Sequence, residues 1–196
     1  MTNKAISQLK AQGNRTVVNI HIGDYYASKN SEIIHTVLGS CVAVCLIDPA
    51  QQIGGMNHIL LPGNPDWRHF DASARYGINA MELLINKILN LGGRRHLLIA
   101  KAFGGGHIIP TISRENGVGK QNAKFVINFL HNEGIPIVKH DLGGQESRKI
   151  YFCTDTGEVF VKRIRHSNWH NIAREEKKES LRIRSKLKNS GDVVLF

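Results

Sequence analysis

No run of this chain approaches the roughly 18 consecutive apolar residues that a membrane-spanning helix requires, so a transmembrane protein is not expected. The opening stretch MTNKAISQLKAQGNR lacks the apolar segment of a secretory leader, which makes the cytoplasm the expected location. Cysteine is scarce. Cys41, Cys45 and Cys153 make an odd number without a C-x-x-C pair, which argues against a disulfide framework and leaves at least one free thiol in any monomer. Acidic residues are also in short supply, 16 against 26 Lys and Arg, for a formal net charge of +10. That balance points to acidic partners: nucleic acid, anionic membrane or an acidic protein surface. Part of the excess is concentrated after Ile164, so the body of the chain is less basic than the total. No internal repeat is present.

What is there has the profile of an ordinary soluble globular protein, 41% hydrophobic and 21% charged, most simply one domain. β-Branched and apolar residues predict strands at TVVNIHIG (16–23), EIIHTVLGS (32–40), CVAVCLID (41–48) and IGGMNHILLP (53–62). Residues 63–72 read as a loop. Ile78, Met81, Leu84, Ile85, Ile88 and Leu89 recur at helical spacing and predict a helix from Ser73 to Leu91, stopped by Gly92-Gly93. HLLIAKAF (96–103) and IPIVKHDL (135–142) are further strands. Between them Ala123, Val126, Ile127 and Leu130 predict a helix from Asn122 to Glu133. RKIYFCT and EVFVKRI flank Asp155-Thr156-Gly157 as a hairpin. The sum is an α/β fold with strands covered on both faces: a polar, mobile 1–15, a folded body 16–164 and a basic polar tail 165–196. Within the tail, REEKKESLRIRSKLKN can form a short helix but offers little apolar face to dock.

The chemistry lies in LGSCVAVCLIDPAQQIGGMNHILLP, where His58 interrupts an apolar run seventeen residues after Cys41. If 41–48 and 53–61 pair as a hairpin, a two-residue loop sets Cys41 opposite His58, with Cβ atoms roughly 4.5–5.5 Å apart. A four-residue loop, more compatible with Pro49, makes them diagonal neighbours on one face at roughly 7–8 Å. An odd loop separates them to opposite faces. Two of the three simplest registers therefore bring thiol and imidazole together. In such a pair the ring takes the thiol proton and later protonates a leaving group. Backbone N–H groups near Cys41 supply an oxyanion hole. Gly39 and Ser40 allow a close approach of substrate and, with Asn57, are the expected substrate-binding residues. A third polar group orients the histidine, and His35, Thr36 and Ser40 are the nearby candidates. A buried cysteine equally serves as a small hydrophobe. Cys45 and Cys153 read that way, and for Cys41 with His58 packing and catalysis both stay open on these grounds.

Weaker signals resolve to structure. His166 and His170 have i, i+4 spacing but no third ligand is evident, so no metal is expected. RENGVGKQN resembles a phosphate-binding loop but has Arg114 where the first glycine is needed and Gln121 where Ser or Thr belongs. Gly104-Gly105-Gly106 either lines the rim of the site or makes a turn. RIRSKLK (182–188) has no aromatic interleaving to support nucleic-acid binding. An anionic surface attracts such a segment by about 1 kcal/mol per residue, so a solvated tail near receptor or membrane is the expected use.

TVLGSCVAVCLIDP followed by GGMNHILLP resembles the CheD family of chemoreceptor glutamine deamidases. So do RYGINAMELLINKILNLGG, AKAFGGG, VGKQNAKFVINFLHNEGI, DLGG with Arg148, and TDTGEVFVKRI. The resemblance runs from about Val17 to Ile164. It implies a single-domain three-layer α/β sandwich with a mixed β-sheet. It also implies a protein-glutamine amidohydrolase that needs no cofactor, with Cys41 as nucleophile and His58 as catalytic histidine. The implied partners are the cytoplasmic helical bundles of chemoreceptors and a CheC-like phosphatase, without nucleic acid or membrane insertion. One position departs from the family. The family's threonine six residues before the cysteine is His35 here, and Thr36 lies one place later. Thr36 keeps the family's hydroxyl chemistry, whereas strand parity favours His35.

Overall fold

The computed structural model describes residues 15–61, 70–107, 117–164 and 169–189. The polar segment 1–14, most of the loop expected at 63–72, Arg114, His166 and the side chain of His170 lie outside the described residues.

Two mixed sheets form the framework. The first has four strands in the order β1-β3-β8-β9: β1 (Val17–Asn19), β3 (Ile33–Leu38), β8 (Ser147–Cys153) and β9 (Val159–Ile164). The second has five in the order β2-β5-β4-β6-β7: β2 (Tyr25–Ser28), β5 (Ile53–Asn57), β4 (Val42–Asp48), β6 (Ile99–Gly104) and β7 (Ile137–Leu142). Helices α1 (Phe70–Asn90), α2 (Val118–Asn132) and α3 (Trp169–Asn189) and a short 3-10 helix (Arg95–Leu97) complete the described elements. β4 lies at the centre and is buried at every position, which explains its unbroken apolar reading. Its alternation splits the core in two. Val42, Val44 and Leu46 meet Met81, Leu84, Ile85 and Ile88 of α1 and Val126 and Leu130 of α2. Ala43, Cys45 and Ile47 meet Ile34, Leu38, Ile150 and Phe152 of the other sheet. The layers are therefore sheet, sheet and helices, the expected three-layer α/β sandwich with its strands divided between two sheets.

Local differences have local causes. The strand expected over 16–23 is regular only at Val17–Asn19, because Asp24 turns the chain: its carboxylate accepts the His21 N–H at 2.9 Å. The chain resumes as β2, which alternation did not single out. The first helix starts at Phe70, inside the expected loop, and Ile78 is 44% exposed. α2 begins a turn before Asn122. Gly119 makes this possible, since a Cβ there would lie 2.6 Å from the carbonyls of Gly105 and Gly106. Phe129 takes the buried place expected for Ile127. α3 does dock, contrary to the expectation from its sparse apolar face: Ile183 and Glu176 are buried. Among the described residues no helix is long and apolar enough to cross a membrane.

Candidate active site

Cys41 stands where the chain crosses between the sheets, after β3 ends at Leu38 and before β4 begins at Val42. Three successive carbonyls of this crossing are held from one side. Gly39 O accepts from Gly106 N at 2.7 Å, Ser40 O from Asn122 Nδ2 at 2.9 Å, and Cys41 O from Gly105 N at 2.7 Å. Gly104 has φ of +112°, and a Cβ there would lie 2.1 Å from the Cys41 carbonyl, so only glycine fits. The next turn braces this one: Gly143 N donates to Gly104 O and His107 N to Gly144 O, both at 2.8 Å. Arg148 in turn donates to the carbonyls of Asp141 and Gly143. The FGGG and DLGG blocks with Arg148 thus form one buttress behind the cysteine.

β4 and β5 pair Asp48 with Ile53, leaving a four-residue loop, and the same register recurs at the Val42–Ile59 bridge. Cys41 and His58 are therefore diagonal neighbours on one face, the second of the registers expected. The ladder opens between these contacts. Asn57 Oδ1 takes the Val44 N–H at 3.1 Å, and the His58 backbone pairs with Asp24 O and Gly23 N instead. Asn57 Nδ2 reaches Ala80 O and Met81 on the helical side. Its side chain points away from the Cys41–His58 face and holds the strand open there.

The imidazole is fixed by Thr36. Thr36 Oγ1 donates its hydrogen to Ile20 O at 2.7 Å and lies 2.8 Å from His58 Nδ1. With its one hydrogen committed, the hydroxyl oxygen accepts from Nδ1–H, and the proton is placed on Nδ1. Nε2 is left with a bare lone pair, buried and without a hydrogen-bond partner among the described residues. Burial, and to a lesser degree the charge of His21, holds the His58 pKa down to about 3, so the ring is neutral. His35 is placed elsewhere. It projects from the outer face of the four-stranded sheet against Tyr151, with ring centroids 5.5 Å apart. Strand parity linking it to Cys41 ends at the crossing between sheets.

On the open side, Ser40 and Cys41 direct their N–H groups at a single oxygen, Glu176 Oε1 of α3, at 2.9 and 3.3 Å. Ser40 Oγ donates to Glu176 Oε2 at 2.6 Å. Burial first, and then the Glu176 charge, push the Cys41 thiol well above its ordinary pKa. Cys45 and Cys153 are buried, and burial raises both thiols. A cleft of about 910 Å³ between α3 and the segment at Asn19–Asp24 leads to Thr36 and His58. Among the described residues no group of three His, Cys, Asp or Glu side chains is placed to hold a metal ion. The expected Cys41, His58, Thr36, Gly39 and Ser40 thus share one corner. Asn122 and Glu176, which the sequence reading passed over, complete it.

Fold and site together define a two-sheet α/β protein with a buried cysteine–histidine centre. A family model described as CheD chemotactic sensory transduction matches residues 60–163. The probable chemoreceptor glutamine deamidase CheD 1 of Shewanella oneidensis is 46% identical over 186 residues, 93% of this chain and 88% of its own. Those of Thiobacillus denitrificans and a Janthinobacterium species are 43% and 44% identical over 89% and 93% of this chain, and 86% and 90% of their own. The chain belongs to the CheD family.

Proposed function

We propose that this chain is a cysteine-dependent deamidase that converts glutamine side chains of chemoreceptors to glutamate in the cytoplasm. Its relatives carry names for that activity. The observation that carries the reading for these residues is the proton on His58 Nδ1, fixed by Thr36. It leaves Nε2 as a base without a partner among the described residues, on a ring whose register sets it on the same face as Cys41.

The steps follow from the atoms. Nε2 takes the Cys41 proton and Sγ attacks the glutamine Cδ. The amide oxygen becomes an oxyanion held by the N–H groups of Ser40 and Cys41, the pair that now grips a carboxylate oxygen. The imidazolium returns its proton to the amide nitrogen, the C–N bond breaks and ammonia leaves a thioester. Nε2 then deprotonates a water that adds to the thioester, the C–S bond breaks, and glutamate and thiol are released. Gly39 leaves room for the substrate stem, Ser40 contributes its N–H and hydroxyl, and Asn57 acts at one remove by holding the strand open. The family resemblance adds a CheC-like phosphatase as a second partner, tested by co-elution with purified phosphatase.

Mass spectrometry of a receptor cytoplasmic domain incubated with the protein tests the reading. Chosen glutamines should gain one mass unit with release of ammonia, and Cys41→Ala should abolish both. Conversion that survives Cys41→Ala, or none with the unmodified chain, overturns it; a Cys41→Ala chain that keeps full chemotactic function would mark an adaptor.

A further inference from the structure

Glu176 takes no part in the reaction above, yet it is the group that fills the site. We propose that α3 is a built-in product mimic: Glu176 lies where the glutamate made from a substrate glutamine would lie, and α3 closes the site until a receptor segment displaces it. The inference rests on the deamidase reading.

The side chain is chemically the product of the proposed reaction. Its Oε1 accepts both N–H groups that the oxyanion needs, and Oε2 accepts the Ser40 hydroxyl. Glu176 is 6% exposed, and among the described residues no Lys, Arg or His forms an ion pair with it. A carboxylate buried without a cation is an expensive way to dock a helix, and an apolar residue would serve stability better. Among the described side chains of α3 the rest of the docking is slight. Ile172, Glu176, Glu179 and Ile183 fall on one helical face, of which only Glu176 and Ile183 are buried, while Leu181 is 57% exposed. Among the described side chains of α3, Glu176 on the site and Ile183 are the buried ones, so recognition of the site helps to place the helix. With α3 docked, the Glu176 charge helps to keep Cys41 protonated, which leaves the site idle.

A sharp consequence follows. In Glu176→Gln the helix presents a substrate carboxamide to Cys41. Sγ bonds to Cδ, the Cδ–N bond breaks, ammonia leaves with the proton from His58, and water cleaves the thioester. Residue 176 becomes glutamate in one turnover. Peptide mass spectrometry of purified full-length Glu176→Gln should therefore show residue 176 raised by one mass unit, and the double variant with Cys41→Ala should keep its carboxamide. Separately, Ile183→Asp should loosen α3 without touching the site. It should raise several-fold the rate at which iodoacetamide labels Cys41, because the thiol is uncovered and the carboxylate that disfavours its thiolate is withdrawn.

Equal labelling in Ile183→Asp and the unmodified chain overturns the closure by α3. If residue 176 keeps its carboxamide while receptor glutamines are converted, the product mimic falls and the deamidase reading stands. If neither is converted, both fall, and the labelling arm still reports whether α3 covers Cys41.

Discussion

The two faces of the five-stranded sheet are built from the same strand by alternate residues, and they are put to different uses. On the helical face Val42, Val44 and Leu46 pack on Met81, Leu84, Ile85 and Ile88, all fully buried. The polar group on that face, Asn57, has its partners. On the inter-sheet face Ala43, Cys45 and Ile47 continue an apolar layer with Phe152 and Ile150, but the layer ends in Thr36, His58 and Cys41 under Glu176. There, among the described residues, a ring nitrogen is buried without a partner and a carboxylate without a cation. One face stabilises the fold; the other carries groups whose burial costs stability and sets their chemistry.

The largest effect expected from this contrast is on stability. Ile85→Ala removes a fully buried side chain from the helical face and should cost about 2–5 kcal/mol, with the cavity term deciding where in that range. The urea midpoint reads it, and receptor deamidation per folded molecule should stay unchanged below the transition. A loss of turnover without loss of stability would show that the helical face shapes the site directly.

Much of this division was legible before any coordinates. Period-two and period-3.6 patterns located most strands and α1 and α2, since burial in those elements is apolar. Two of the three registers counted across the β4–β5 loop put Cys41 and His58 on one face, and the four-residue loop is one of those two. The assignment of strands to two sheets did not follow, because the crossing at Gly39–Cys41 is a tertiary event with no local periodicity. The same crossing broke the parity linking His35 to Cys41. Asn122 had a readable signal, a polar residue four before Val126 and eight before Leu130 on a buried stripe. Glu176 had almost none. A helix docked through a carboxylate on backbone N–H groups looks, by hydropathy, like a solvated tail.

The next effect concerns chemistry on the inter-sheet face. Thr36→Val keeps the shape but removes the acceptor for His58 Nδ1–H, freeing the ring to turn or change tautomer. Deamidation should fall by about 10- to 100-fold, the usual cost of losing a group that orients a functional histidine. The loss should appear in kcat with KM little changed. Stability should fall by only about 1 kcal/mol, through the unsatisfied Ile20 carbonyl. Thr36→Ser, which keeps the hydroxyl, should restore most of the rate; failure of that rescue would reduce Thr36 to a packing residue.

The smallest effect is a pH dependence of stability written by the same burial. His58 has a folded pKa of about 3 against an ordinary value of 6.5. Between those values the unfolded chain binds a proton that the folded chain refuses, so stability falls as pH falls. The window opens near pH 6.5 and closes near pH 3, with the unfolding constant rising at most about tenfold per pH unit for one proton. Asp48, whose carboxyl is held below its ordinary value by Arg94 and the N–H groups of Gln51, Arg94 and Ala50 against an opposing burial effect, acts in the same direction but only from about pH 4 downward. Urea midpoints at pH 7, 6 and 5 therefore isolate the histidine. His58→Gln should flatten the slope across that range, whereas an equal slope in both chains would mean that the ring is already protonated in the fold, and the helical and inter-sheet faces would then differ less than their side chains imply.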